Sequence, residues 1–154
     1  MFTTDGLFSE PLSIGATFIG LFVFFAAFLE ASGGAQKFMN FTIAIAGRFR
    51  GGSAKVAILA SALMGMMSGS SVTNIVTTGV ITIPMMKRVG YKPETAAGIE
   101  ATASLGSQIT PPILGATAFL MSEITGYPMI QIMALTIIPC ILFYFCIFMQ
   151  VHLA

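Results

Sequence analysis

Charged residues are scarce in this 154-residue sequence, where Lys, Arg, Asp and Glu together make up 8% of the chain and 56% of it is hydrophobic. Apolar runs of about twenty residues and a mean hydropathy of +0.91 exceed what a water-soluble core of this size contains. The formal net charge of +1 gives no sign of nucleic-acid binding. The composition predicts an all-α membrane protein embedded in a lipid bilayer.

Cysteine and N-terminal basic residues are also few. Cys140 and Cys146 lie in one apolar run without CxxC or metal-ligand spacing, so we interpret them as thiols packed against lipid or another helix. No Lys or Arg precedes the first apolar run, which argues against a cleaved signal peptide. We expect a retained first span, no catalytic residues, no enzymatic activity and no organic cofactor.

We read residues 1–154 as a single membrane domain with five segments. The first is a span over 13–29, and the second is a basic amphipathic helix over 37–50 that lies in the membrane interface. The others are a re-entrant hairpin over 55–87, a broken span over 93–122 and a final span over 127–151, with a kink expected at Pro139.

The hairpin is inferred from a stretch without charge between Lys55 and Lys87. One helix of that length would be close to 50 Å long, too long for a single span, whereas two full spans would each need about 20 apolar residues. The stretch "MSGSSVTNIVTTG", residues 67–79, is predicted to form the turn at about mid-depth. Each arm of roughly twelve residues would cover about 18 Å.

A second polar interruption, "SLGSQITPP", divides the apolar segment that follows. Pro112 cannot donate a backbone hydrogen bond, and a proline pair suits the first turn of a new helix. We therefore predict a discontinuous helix.

Both interruptions are rich in neutral oxygen and lack carboxylates. Broken helices that meet at the midplane are typical of ion and substrate sites in secondary transporters, and neutral oxygens suit Na+ better than Ca2+ or Mg2+. The alternative is that these small residues only permit close helix packing. The candidate oxygen donors are Ser68, Ser70, Ser71, Thr73 and Asn74 in the first interruption, and Ser104, Ser107, Gln108 and Thr110 in the second.

Glu100 allows two interpretations. It lies about 12 Å along a helix from Lys92, deep enough to be an intramembrane proton relay. Equally, the helix would leave Glu100 solvated if it began in cytoplasmic water. The hairpin path also places all seven basic residues on one side, which the positive-inside rule makes cytoplasmic.

The segment "SGGAQKFMNFTIAIAGRFRGGSAKVAILASALMGMMSGSSVTNIVTTGVITIPMMKRVGY", followed by "ASLGSQITPPILGATAF", resembles the large membrane subunit of tripartite ATP-independent periplasmic (TRAP) transporters, of the fused type that works with TAXI-type binding proteins. The resemblance implies an inner-membrane, sodium-coupled, elevator-type permease to which an extracytoplasmic TAXI-type solute-binding protein delivers an organic acid. It implies a sodium and substrate site at Ser68, Gly69, Ser70, Ser71 and Asn74, and at Ser104, Gly106 and Pro111. Together with Thr110, these form the candidate site.

The sequence departs from the family pattern at Thr73, where alanine is usual, and at Ser107, where a second glycine is usual. The family also has a second, inverted copy of the hairpin and broken helix. We therefore expect this chain to be one repeat of an inverted-repeat transporter, with the remaining half of the permease as its partner. Two other functions remain open: a proton-coupled antiporter using Glu100, and a membrane scaffold subunit that does not transport.

Overall fold

A computed structural model describes residues 52–153 continuously, residues 20–34, and single positions 12, 16, 17, 37, 40, 41 and 44. All regular structure in this part of the chain is helical, which confirms the all-α prediction. The helices are α1 (Gly20–Ala31), α2 (Ser53–Ser68), α3 (Ser71–Arg88), α4 (Pro93–Leu105), α5 (Ala116–Thr125) and α6 (Met129–Leu153), and a 3-10 turn (Gly106–Gln108) follows α4.

Helices α2 and α3 form an antiparallel hairpin. The start of α2 packs on the end of α3, where Ala54 and Ala57 contact Met86, and later Ala60 and Met64 contact Ile81. The turn is much shorter than predicted. It consists of Gly69 and Ser70 alone, and residues 71–79 belong to α3.

The short turn is possible because both helix ends are capped locally. Gly69 has a φ of 54°, a left-handed conformation that suits glycine. Ser70 is the N-cap of α3, and its side chain accepts a hydrogen bond from the backbone N–H of Thr73. The arms are correspondingly longer than predicted, about 24 and 27 Å at about 1.5 Å per residue. Whether they enter and leave the membrane on one side stays a prediction.

The predicted discontinuous helix is present as α4, the 3-10 turn, an irregular segment over 109–115, and α5. The prediction that its proline pair lies in the first turn of the new helix was wrong. Pro111 and Pro112, which are joined by a cis peptide bond, lie in the irregular segment, and α5 begins only at Ala116. We define the break as residues 106–115.

Among the described residues, α6 is the one helix with the length and apolar character needed to cross a membrane, and α2 is apolar but shorter. The predicted span over 127–151 corresponds to α6, which contains Pro139. Of the span over 13–29, the structure describes helix from Gly20 onward. The interfacial helix over 37–50 lies outside the described residues except for single positions.

One end of the bundle is basic. The start of α2, the end of α3 and the start of α4 meet there in a cluster of Ala54, Ala57, Met86 and Ala96, against which Val151 of α6 packs. Lys55, Lys87, Arg88 and Lys92 all belong to these helix ends. Lys55 Nζ lies 2.9 Å from His152 Nδ1 near the end of α6. The tip of the hairpin and the break lie away from this basic end.

Candidate functional site

The structure brings the hairpin tip against the break. Gln108 Nε2 donates a hydrogen bond to Ser71 Oγ at 3.3 Å. A Cβ atom placed on Gly115 would lie 3.1 Å from the carbonyl oxygen of Gly69, and one placed on Gly65 would lie 2.9 Å from Ser107 Cα. The two interruptions, which are about thirty-five residues apart in the sequence, therefore pack directly against each other.

Asn74 is the central link between the hairpin and the break. It is fully buried in the first turn of α3. Its Nδ2 donates to the carbonyl oxygen of Ser61 at 2.8 Å and to Ser107 Oγ at 2.6 Å. Because these bonds use both amide hydrogens, Asn74 joins α2, α3 and the break through its own side chain.

The hydroxyl groups at the tip bond mainly to the backbone. Ser68 Oγ donates to the carbonyl oxygen of Ser70 at 3.3 Å, and Ser70 Oγ caps α3. Ser70 and Ser71 are partly exposed, whereas Ser68 and Gly69 are buried. Ser70 and Ser71 are thus more accessible than the two residues before them.

The candidate residues in and just before the break divide between two environments. Ser104 Oγ faces the hairpin and donates to Glu100 Oε1 at 3.4 Å. Thr110 faces α6 instead, where its Oγ1 donates to the carbonyl oxygen of Gly106 at 2.6 Å and lies 3.3 Å from Tyr144 Oη. Pro111 lies next to it and lines a groove that also includes Tyr144. Thr110 and Pro111 are therefore on the α6 side of the break and not beside Asn74.

The break lies level with the middle of α6. Besides Tyr144, Thr110 contacts the sulfur of Cys140 at 3.6 Å, and these two α6 residues flank the midpoint of Met129–Leu153. Ser107 does not have a positive φ, since every described residue with positive φ is a glycine. The backbone at position 107 therefore does not require the glycine that is usual in the family.

Glu100 is fully buried, so the interpretation that it is solvated is wrong. Its carboxylate accepts hydrogen bonds from four hydroxyl groups. Ser61 and Ser104 are at 3.0 and 3.4 Å from Oε1, Thr82 is 2.6 Å from Oε2, and Thr78 also donates to Oε1. Glu100 thereby joins both hairpin arms to α4.

Sequence reasoning missed Ser61, Thr78 and Thr82. A usable signal existed, because Asn74, Thr78 and Thr82 recur at four-residue steps along one helical face, while the outer face at the same spacing carries Val72, Val76 and Val80, which are exposed. A buried polar stripe of this kind in an apolar segment indicates a neighbouring polar side chain.

The oxygen donors of the candidate residues, which are Ser, Thr, Asn and Gln side chains, are all neutral. Zinc and related metals prefer clusters of His, Cys, Asp and Glu side chains. Among the described residues, no three or more such side chains lie together. Ser70, Ser71 and Gln108 lie at the seam between tip and break and are not buried. A broken helix packed on a hairpin tip beside a membrane-length helix is an arrangement typical of the membrane domains of secondary transporters.

Residues 3–154 match the sequence model of the family described as tripartite ATP-independent periplasmic transporter, DctM component. The chain belongs to this family. It is 37% identical over 97 residues to the C4-dicarboxylate TRAP transporter large permease protein DctM of Vibrio cholerae and 38% identical over 97 residues to that of Pseudomonas aeruginosa; each alignment covers 62% of this chain. It is 28% identical over 105 residues, 68% of this chain, to the 2,3-diketo-L-gulonate TRAP transporter large permease protein YiaN of Escherichia coli. No solved structure matches the chain significantly.

These matches cover 21%, 23% and 25% of the length of the three relatives. The relatives are transporter permease subunits and not enzymes, and membership of the family implies an inner-membrane protein. The predicted resemblance to TRAP large permeases is thus confirmed.

Proposed function

We propose that this chain supplies one half of the sodium and substrate site of a TRAP-type permease that imports an organic acid together with Na+. The observation that carries the proposal is the meeting of two helix interruptions level with the middle of α6, through Gln108 and Ser71 on one side and Thr110 and Tyr144 on the other. Non-helical backbone at membrane depth persists only where it is buried in protein or lines a cavity.

The geometry divides the candidate residues into two roles. Ser70, Ser71 and Gln108 are at least partly exposed at the seam, and their oxygens would contact the ion together with nearby backbone carbonyls. Asn74 and Ser107 are buried and hydrogen-bonded to each other, and the buried Ser104 donates to Glu100. These three residues would support the seam without contacting the ion. Gly69, Gly106 and Pro111 would provide backbone shape.

The basic end of the bundle supports one orientation of the chain in the membrane. Lys55, Lys87, Arg88 and Lys92 are carried by helix ends that pack together, and the positive-inside rule would place this end in the cytoplasm. The hairpin would then enter and leave the membrane from the cytoplasmic side. A second repeat in the rest of the permease would cover the other side of the tip, and a TAXI-type extracytoplasmic protein would deliver the acid.

Uptake by the purified permease that contains this chain tests the proposal. It is reconstituted in liposomes with its binding protein and given radiolabelled C4-dicarboxylate or 2,3-diketo-L-gulonate under a Na+ gradient, a proton gradient, or neither. We expect uptake only with the Na+ gradient. Uptake driven by a proton gradient alone would favour the antiporter using Glu100, and no uptake under any condition would favour the scaffold subunit.

A further inference from the structure

Glu100 has an environment that ion or substrate contact does not explain. The side chain is fully buried in α4, and all its hydrogen-bond partners within residues 52–153 are neutral hydroxyl groups. The basic side chains of the same range are occupied elsewhere: Lys55 contacts His152, and Lys87, Arg88 and Lys92 are exposed. A buried carboxylate without a cation is costly unless hydrogen bonds compensate it.

The distances show what fills the space around the carboxylate. Ser61 Oγ and Thr82 Oγ1 lie 3.0 and 2.6 Å from the carboxylate oxygens, which are hydrogen-bond distances. Oxygens in such direct contact leave no room for a metal ion between them. The hydroxyl hydrogens themselves therefore stabilise the carboxylate.

The same hydroxyl residues also contact Asn74. The carbonyl oxygen of Ser61 accepts from Asn74 Nδ2 at 2.8 Å. Thr78 Oγ1 lies 2.8 Å from the Asn74 carbonyl oxygen and 3.3 Å from Asn74 Oδ1. Asn74 in turn donates to Ser107 in the break. A continuous chain of contacts thus runs from Glu100 to the seam between tip and break.

We infer that Glu100 is a positioning residue for the candidate ion site. It anchors the hydroxyl groups of Ser61 and Thr78; the Ser61 carbonyl oxygen then holds the Asn74 side chain, and Asn74 holds Ser107. The inference rests on the proposed function for its effect on transport, but the anchoring itself is a property of the fold. A hydroxyl has one hydrogen and donates it preferentially to a charged acceptor, so replacing the carboxylate would free Thr78 to bond Asn74 instead and change the geometry at the tip.

The test compares Glu100→Gln and Thr78→Val with two controls in the full permease. Glu94→Gln removes an exposed acid from the first turn of the same helix, and Thr78→Ser keeps the hydroxyl that Thr78→Val removes. We expect Glu100→Gln to raise the Na+ concentration for half-maximal uptake by about tenfold, and Thr78→Val by somewhat less, since each loses a hydrogen bond to a charged group. Glu94→Gln and Thr78→Ser should remain within about twofold of the original protein.

Rates are normalised to folded protein measured by size-exclusion chromatography, so that instability alone does not imitate the effect. A merely structural Glu100 would lower the yield of folded protein and leave the half-saturating Na+ concentration unchanged. That result in both Glu100→Gln and Thr78→Val would overturn the inference.

A second readout does not need transport. In a background with Cys140 and Cys146 replaced by serine, cysteines at positions 71 and 108 are cross-linked with a short bis-thiol reagent, because these side chains meet at the seam. We expect cross-linking to slow severalfold with Glu100→Gln and not with Glu94→Gln. If the original permease shows no Na+ dependence, the proposed function fails and this readout decides alone: equal rates in the two variants would contradict the anchoring role.

Discussion

The hairpin tip and the break are both polar interruptions of apolar helices, but they are held in different ways. The tip needs two residues, and its backbone is closed by neighbours in sequence: Gly69 N–H bonds the Gly65 carbonyl at 3.1 Å, and Ser70 caps α3. The break has ten residues and is braced from outside, by Asn74 on the hairpin side and Tyr144 on the α6 side. A short interruption can be closed locally, whereas a long one depends on tertiary contacts.

The largest effect is expected where the hairpin touches the break. In Gly65→Ala, the new Cβ would lie 2.9 Å from Ser107 Cα, which is backbone and cannot turn away. Overpacking of this kind costs about 1 to 3 kcal/mol, and it should separate the two interruptions. Thermal unfolding of the purified permease in detergent measures the change.

Gly98→Ala is the matched control for that substitution. Gly98 is also helical, and a Cβ placed there meets no atom within 4 Å. Since alanine favours helices more than glycine by about 1 kcal/mol, this variant should be as stable as the original or more so. Equal losses of stability in the two variants would mean that the close contact between Gly65 and Ser107 has no special importance.

A smaller, local effect is expected at the tip. Replacing an N-cap serine by alanine costs about 1 kcal/mol, but replacing it by glycine costs only a few tenths. Ser70→Ala should therefore lower the melting temperature more than Ser70→Gly. If Ser70 Oγ also contacts Na+, both variants lose that oxygen and should weaken apparent Na+ affinity equally, which Na+ titration of uptake will measure. A Na+ effect in neither variant would leave Ser70 a cap only.

The two interruptions also differ in how well the sequence predicts them. The lack of charge between Lys55 and Lys87 and the limits of helix length predicted the hairpin, because these depend only on composition and rise per residue. The extent of the turn was overestimated, since Thr73, Asn74, Thr77 and Thr78 look like loop residues but bond within α3 or to its neighbours. Polar residues in a helix are permitted when other helices satisfy them.

The break shows where sequence reasoning stops. Its existence follows from glycine and proline, but the placement of Thr110 against Tyr144 depends on which helices pack together. Glu100 is the clearest case. Its depth along α4 could be estimated, but its burial could not, because Ser61, Thr78 and Thr82 come from a hairpin that is distant in sequence.

The central claim is that tip and break form a single Na+ site, and Na+-dependent stabilisation of the purified permease tests it most directly. The melting temperature is titrated with NaCl, with KCl as control, in the original protein, Ser71→Ala, Gln108→Leu and the double variant. A bound ion stabilises the folded state according to its affinity. We predict stabilisation by Na+ and not by K+. The half-saturating Na+ concentration should rise roughly ten- to a hundredfold in each single variant. In the double variant it should be little higher than in the more affected single variant, as expected for coupled residues. Equal stabilisation by both salts, or an unchanged half-saturating Na+ concentration in all variants, would contradict the account.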